Sequence, residues 1–287
     1  MKCLFIYLSI IICSSLVVFA QQRPLLTDDV DITPQGSLRT SAGVDFLQNV
    51  KFPVSGLTGD LTRVGDINIR IGLAPNVEFQ IEGTLQNFLA INTKSASAIP
   101  LTLDNNSTND IGDFTISTKI KLKNETKKSP AIGFKFGVQL PNTNQARGIG
   151  TNQVNVFGKI LLQKKFGVTK GQDPLANIFA NIGLGILPAP LERFTQNDVF
   201  LYGVAGVFRI NENINIASEI NGRKNTRSGK APLGTESLSQ FRIGTQIKAS
   251  GLRFDTAAVI GISKNSPRTG VTFGVTYQSK KIFTPAL

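Results

Sequence analysis

Basic side chains recur in this chain at alternate positions, between apolar ones, and the chemistry they can do is that of a charged wall. Arg39, Arg70, Lys119, Lys121, Lys135, Lys159, Arg242, Lys248 and Arg253 stand on the polar parity of runs whose other parity is largely Val, Ile, Leu or Phe. Asp45, Glu78, Glu82, Glu219 and Asp255 share that parity. Arg and Lys set around a watery passage favour anions. Opposite charges on adjacent strands can instead neutralise one another and do no more than line the wall. Both readings stay open for each position. All of these residues except Asp45 form the candidate lumen and solute-contacting set.

Catalytic chemistry finds little support. The chain has no histidine, which weighs against Ser-His-Asp hydrolysis, histidine metal sites and histidine general bases. No motif pairs a Ser or Thr with an activating Lys. Gly148-Ile149-Gly150 and Gly183-Leu184-Gly185 open no helix and are weak as phosphate loops. No catalytic residue, metal ligand or cofactor is expected. The basic stretch Gly222 to Lys230 could meet lipopolysaccharide phosphates or be a solvated loop tip. It lacks the aromatic partners of a nucleic-acid site, so no nucleic acid is expected as a partner.

The elements that must position these charges are strands. Strict alternation runs through Leu38 to Phe46, Ile67 to Leu73, Val77 to Leu85, Phe114 to Leu122 and Ile132 to Leu140. It resumes over Val154 to Leu162, Ile178 to Ile186, Ile214 to Ile220, Phe241 to Ile247, Leu252 to Ile262 and Val271 to Tyr277. Such alternation marks strands with two chemically different faces. Val199 to Arg209 is apolar on both parities, so its faces cannot be assigned. Tight turns at Ala74-Pro75-Asn76, Asn211-Glu212-Asn213 and Ala249-Ser250-Gly251 follow even-numbered strands. Long polar links (86–109, 141–152, 188–198 and 222–236) follow odd-numbered ones. Intermediate links at 124–130 and 166–175 blur the contrast. Short turns at one rim and long loops at the other are the arrangement of outer-membrane barrels.

The expected fold is all-β: a closed antiparallel transmembrane β-barrel of about twelve strands. A soluble sandwich alternates too, but with its apolar face inward. An Arg or Lys facing lipid at mid-depth costs about 2–4 kcal/mol, and nine such penalties exceed a typical stability of about 5–15 kcal/mol. If the barrel is right, the charges therefore face the interior. A sheet of that size is too wide for wall side chains to fill.

Residues 1–20 read as a secretory signal: Lys2, an apolar run from Leu4 to Val18, then Val18-Phe19-Ala20 before Gln21. Both cysteines, Cys3 and Cys13, lie within it, which excludes a disulfide-stapled mature domain. The expected organisation is signal 1–20, an N-terminal periplasmic segment 21–36, a barrel 37–278 and a tail 279–287. The net charge of +12 suggests an acidic partner or only solubility.

Gly65-Asp66 followed by Ile67 to Leu73, with Val77-Glu78-Phe79, resembles the early hairpin of a bacterial family described as putative MetA-pathway of phenol degradation, or putative outer-membrane transporter. Gly112-Asp113 leading to Lys119 is similar to its next strand, and Phe134 to Leu140 ending on Pro141 resembles its strand-and-proline signature. The resemblance spans roughly residues 61–277 and implies an outer-membrane barrel that moves small, in some cases aromatic, compounds. It carries over no functional residue.

The expectation is thus an exported bacterial outer-membrane barrel in contact with outer-membrane lipid and lipopolysaccharide. Its function would be that of a passive channel or transporter for small solutes, anionic or aromatic in class. The alternative is a non-transporting structural or adhesive barrel, recognisable by a lumen plugged by side chains or by the 86–109 link.

Overall fold

The computed structural model describes residues 25–169, 173–192 and 196–284; the expected signal lies outside them. Alternation becomes strand at β1 (Leu38–Phe52), β2 (Leu57–Ala74), β3 (Val77–Lys94), β4 (Ser107–Asp110), β5 (Thr115–Lys123), β6 (Ala131–Gln139) and β7 (Asn155–Phe166). The second half contributes β8 (Ala176–Pro188), β9 (Gln196–Arg209), β10 (Ile214–Asn225), β11 (Leu238–Ala249), β12 (Leu252–Gly261) and β13 (Thr269–Gln278). Each wall strand is antiparallel to its neighbours, and β1 pairs with β13 from Arg39↔Gln278 to Gln48↔Thr269, closing the sheet. The short β4 pairs only with the far end of β3 among the wall strands. Twelve strands therefore form the wall, a closed antiparallel barrel of the outer-membrane type.

The barrel is inside-out relative to a soluble protein. Its outward parity carries exposed Phe46, Phe134, Ile160, Ile182, Val204 and Phe273, while its inward parity buries Arg39, Lys119, Gln163, Asn177, Gln246 and Arg253. No helix among the described residues is long and apolar enough to cross a membrane; this wall crosses with strands.

The rims differ as the spacing predicts. Ser250 and Gly251, both at positive φ, make the β11–β12 turn; two such residues suit the tight hairpin turns that match strand twist. The opposite rim carries the long links 95–114 and 140–154. Two boundaries shift. Gly222 to Asn225 belong to β10, and β2 and β3 each run 18 residues, well beyond the alternating stretches Ile67 to Leu73 and Val77 to Leu85.

The longer strands change face partway along. β1 buries Arg39, Ser41, Asp45 and Leu47, then switches parity at Asn49, φ 56°, to bury Val50. β2 switches at Gly65, φ 67°, where a Cβ would also lie 2.8 Å from the Leu85 side chain. A switch of one residue moves a strand's side chains to the other face. The interior beyond it is therefore apolar: Leu47, Val50, Leu57, Leu61, Leu89, Ile91 and Val259 cluster there, with Leu101, Leu103 and Ile149 from the long links packed on top. Thr102 N donates to Ala146 O at 2.8 Å, Ser55 Oγ to Gly148 O at 2.6 Å, and Arg147 meets Asp104 at 3.0 Å. These contacts fasten the two links to each other and to the β1–β2 turn over that cluster.

Ile160, 54% exposed, sits between Phe134 and Ile182 on the outer face. Ile160→Arg is expected to cost about 2–4 kcal/mol in urea unfolding from liposomes. A change below about 1 kcal/mol would contradict a lipid-facing band.

Candidate functional site: a charged lumen crossed by the N-terminal strap

Three lysines stand side by side on the inner wall. Register places Glu78 opposite Lys119, Lys119 opposite Lys135, and Lys135 opposite Lys159, a row running across β3, β5, β6 and β7. Like charges directly opposed on neighbouring strands destabilise a sheet, so the row needs anions. Some are the wall's own Glu78 and Glu82, and the others come from the N-terminal segment.

Residues 25–36, the described part of the segment 21–36 expected to be periplasmic, run inside the barrel as a strap. Asp28 binds Lys135 at 2.9 Å and Lys159 at 3.3 Å, and Asp29 binds Lys119 at 2.8 Å. Lys119 also meets Glu78 at 3.2 Å, and Lys135 meets Glu82 at 3.0 Å. Nearer the short-turn rim, Asp31 binds Lys165 at 2.6 Å and Lys121 at 3.4 Å. Five bases thus meet five acids, and three of the acids belong to the strap.

Buried backbone needs partners, and wall side chains supply them where no secondary structure does. Leu26 N and Thr27 N donate to the two carboxylate oxygens of Glu219, each at 2.8 Å. Asp28 N donates to Asn181 Oδ1 at 2.7 Å, and Asn181 Nδ2 donates back to Asp28 O at 2.8 Å. Val30 N donates to Gln163 Oε1 at 2.8 Å, and Thr33 N to Glu78 Oε2 at 2.6 Å. Apolar contacts complete the fit. Val30 packs on Ala131 and Leu161, and Leu25 on Phe179, Ala205, Val207 and Ala217. This resolves the two-sided run in β9: its outer face carries Phe200, Val204 and Phe208, and its inner face is apolar because Leu25 rests on it.

All thirteen candidate residues line the interior, in four groups. Glu78, Glu82, Lys119, Lys121, Lys135 and Lys159 hold the strap. Arg39 faces Arg70 across β1 and β2, with Gln278 accepting from the Arg39 guanidinium at 2.8 Å; nearby, Arg253 binds Asp255 at 2.7 Å. Glu219 lies 3.9 Å from Arg242 and is chiefly a strap acceptor. Lys248 stands apart at the short-turn rim, bound to Asp173. The sequence reading missed Asp28, Asp29 and Asp31. Three carboxylates within four residues, in a chain of net charge +12, were the available signal.

Between strap and wall lies a cavity of about 310 Å³ bordered by Arg70, Glu82, Lys135, Phe157, Lys159 and Arg242. The Lys159 ammonium lies 5.1 Å from the Phe157 ring centre, within cation–π range. Among the described residues no cluster of His, Cys, Asp or Glu suits a metal ion.

The family model described as "Putative MetA-pathway of phenol degradation" matches residues 22–166, about half the chain and the whole strap. The chain belongs to this family. The fold is also that of an outer membrane channel from Pseudomonas putida F1, with TM-score 0.59 and 12% identity over 87% of this chain and 97% of that one. Weaker likenesses include the translocator domain of the autotransporter NalP from Neisseria meningitidis, TM-score 0.43, 10% identical over 86% of this chain and 90% of that one. The toluene transporter TbuX from Ralstonia pickettii has TM-score 0.35 and is 10% identical over 88% and 92%. A comparison with curated proteins finds no significant match.

Burial works to raise the carboxyl pKa values of Asp28 and Asp31, and the lysines outweigh it. Lys135, Lys159 and Lys119 hold Asp28 far below the ordinary carboxylate range. Against the same desolvation, Lys165, the Gln163 amide and Lys121 hold Asp31 at about 2. A pKa depressed on docking means the stabilisation is complete above the ordinary value near 3.8 and is lost as pH falls towards 2. A fluorophore on Leu26→Cys should therefore report a docked strap from pH 8 to about 5, with release only below about pH 4; release near neutrality would contradict this. Lys119→Met leaves Asp29 and Glu78 buried against each other without their shared cation, and should cost about 3–5 kcal/mol in urea unfolding.

Proposed function

We propose that the protein is a passive channel or transporter for small solutes in the bacterial outer membrane, with anionic or aromatic solutes as its class. The observation that carries this reading is the polar, charge-lined interior of a closed twelve-strand wall, which still holds a cavity of about 310 Å³ beside the strap. A lipid-facing exterior and a polar, charged interior support a passage rather than a packed core. The thirteen wall charges would set the field that a passing solute meets, and without the strap the lysine network has an excess of base. The aromatic part of the assignment rests on the family description. Outer-membrane lipid would cover the apolar band and lipopolysaccharide the long-loop rim; no enzymatic step is assigned.

A second reading, a structural or adhesive barrel without transport, is favoured by the strap across the lumen and by Leu101 and Leu103 capping the far mouth. Conductance separates the two. Purified protein in planar bilayers should give discrete current steps, and liposomes carrying it should swell in small solutes. Folded protein that gives neither would leave the structural reading standing.

A further inference from the structure

We infer that the lysine row Lys119, Lys135 and Lys159 is an exchangeable dicarboxylate site, occupied by the strap's own Asp28 and Asp29 and open to a soluble dicarboxylate when the strap leaves. The inference rests on the lumen reading above and names a ligand class for it. Three cations opposed on adjacent strands, two of them fully buried, form a site that requires anionic charge. The occupant is not part of the wall. It is the N-terminal strap, held by carboxylates on two consecutive residues, Asp28 on Lys135 and Lys159 and Asp29 on Lys119. Such a pair is the tethered equivalent of a flexible dicarboxylic acid.

The strap has no strand partner along residues 25–33. Its backbone is held by the carboxylate of Glu219, the amides of Asn181 and Gln163, and the carboxylate of Glu78. Water can replace each of these contacts when the strap moves. Space for a competitor already exists: the cavity of about 310 Å³ borders Asp28, Lys135 and Lys159 and falls within the range of small-molecule sites, about 300–1,000 Å³. Loss of the strap would leave Glu78 and Glu82 as the acids facing Lys119, Lys121, Lys135, Lys159 and Lys165 within this network. A tethered group competes at an effective concentration in the millimolar range, so a free dicarboxylate must be supplied at about that level or above.

The test uses the full chain with Val30→Cys. Val30 is fully buried against Ala131 and Leu161, and both natural cysteines lie in the expected signal. A membrane-impermeant maleimide therefore reads strap release, and gel mobility without heating verifies a closed barrel in each variant. Suberate, whose carboxylates are spaced like those of adjacent aspartates, at about 50 mM should raise the labelling rate about tenfold. Sodium chloride or acetate at equal ionic strength should do far less. Lys159→Gln, at the partly exposed end of the row, should abolish most of the suberate effect. Asp28→Asn with Asp29→Asn should raise labelling about tenfold or more without ligand, because it removes the charge-assisted hydrogen bonds that hold the strap to the row. Equal acceleration by suberate and sodium chloride would show screening rather than a site and overturn the proposal. Labelling that neither suberate nor the double substitution accelerates would make the strap a fixed part of the wall and overturn it too. Labelling requires no current, so suberate-specific release in a barrel that never conducts would remove the passage and keep the site.

Discussion

Electroneutrality inside an enclosed sheet is the constraint on which the rest depends. Two like charges 4 Å apart repel by about 4 kcal/mol at the effective dielectric of a protein surface. The register of β5, β6 and β7 nevertheless places Lys119, Lys135 and Lys159 in line. The backbone hydrogen bonds of the ladder do nothing to relieve this. Glu78 and Glu82 of β3 relieve part of it, and the rest comes from a third body inside the barrel, through Asp28 and Asp29. The strap is thus a counter-ion with a backbone, and the amides and carboxylates of the wall are arranged to receive that backbone.

The same constraint divides the interior into two layers. A twelve-strand wall is too wide for its own side chains to meet across the middle. Towards the short-turn rim the strap and its ion pairs occupy the space. Towards the long-loop rim the parity switches at Asn49 and Gly65 turn leucines inward, and the loops bring Leu101, Leu103 and Ile149 down onto them. Charge is compensated in one layer and apolar area is buried in the other. The cavity lies beside the strap, bordered by cations and by Phe157.

Much of the wall was legible because a barrel strand has two chemically distinct faces and alternation records them. Ile67 to Leu73 and Ile132 to Leu140 show their lipid parity openly, and the tight turn at Ser250-Gly251 shows its rim. Legibility failed where a third element altered a face. Val199 to Arg209 could not be read because Leu25, more than 170 residues away, covers its inner side. The strap itself has no period, since its order comes from side chains scattered over six strands rather than from its own residues. Asn49 gives no local sign that it adopts positive φ, so the parity switch and the dry layer beyond it were hidden. For the charged residues, the inward face followed from the cost of lipid exposure. Their actual partners did not, because Asp28, Asp29, Asp31 and Asp173 lie outside the wall strands.

The sequence separations of these contacts order the protein's assembly in time. Leu26 bonds to Glu219 across 193 residues, and the first wall strand meets the last across 239. The strap's acceptors are spread from β3 to β10, so its docking surface does not exist until those strands have been laid side by side. The strap, first in the sequence among the described elements, is therefore among the last to find its place. Until then the acidic triplet and the lysine row are separate solvated charges, and the moment they meet marks the completed barrel.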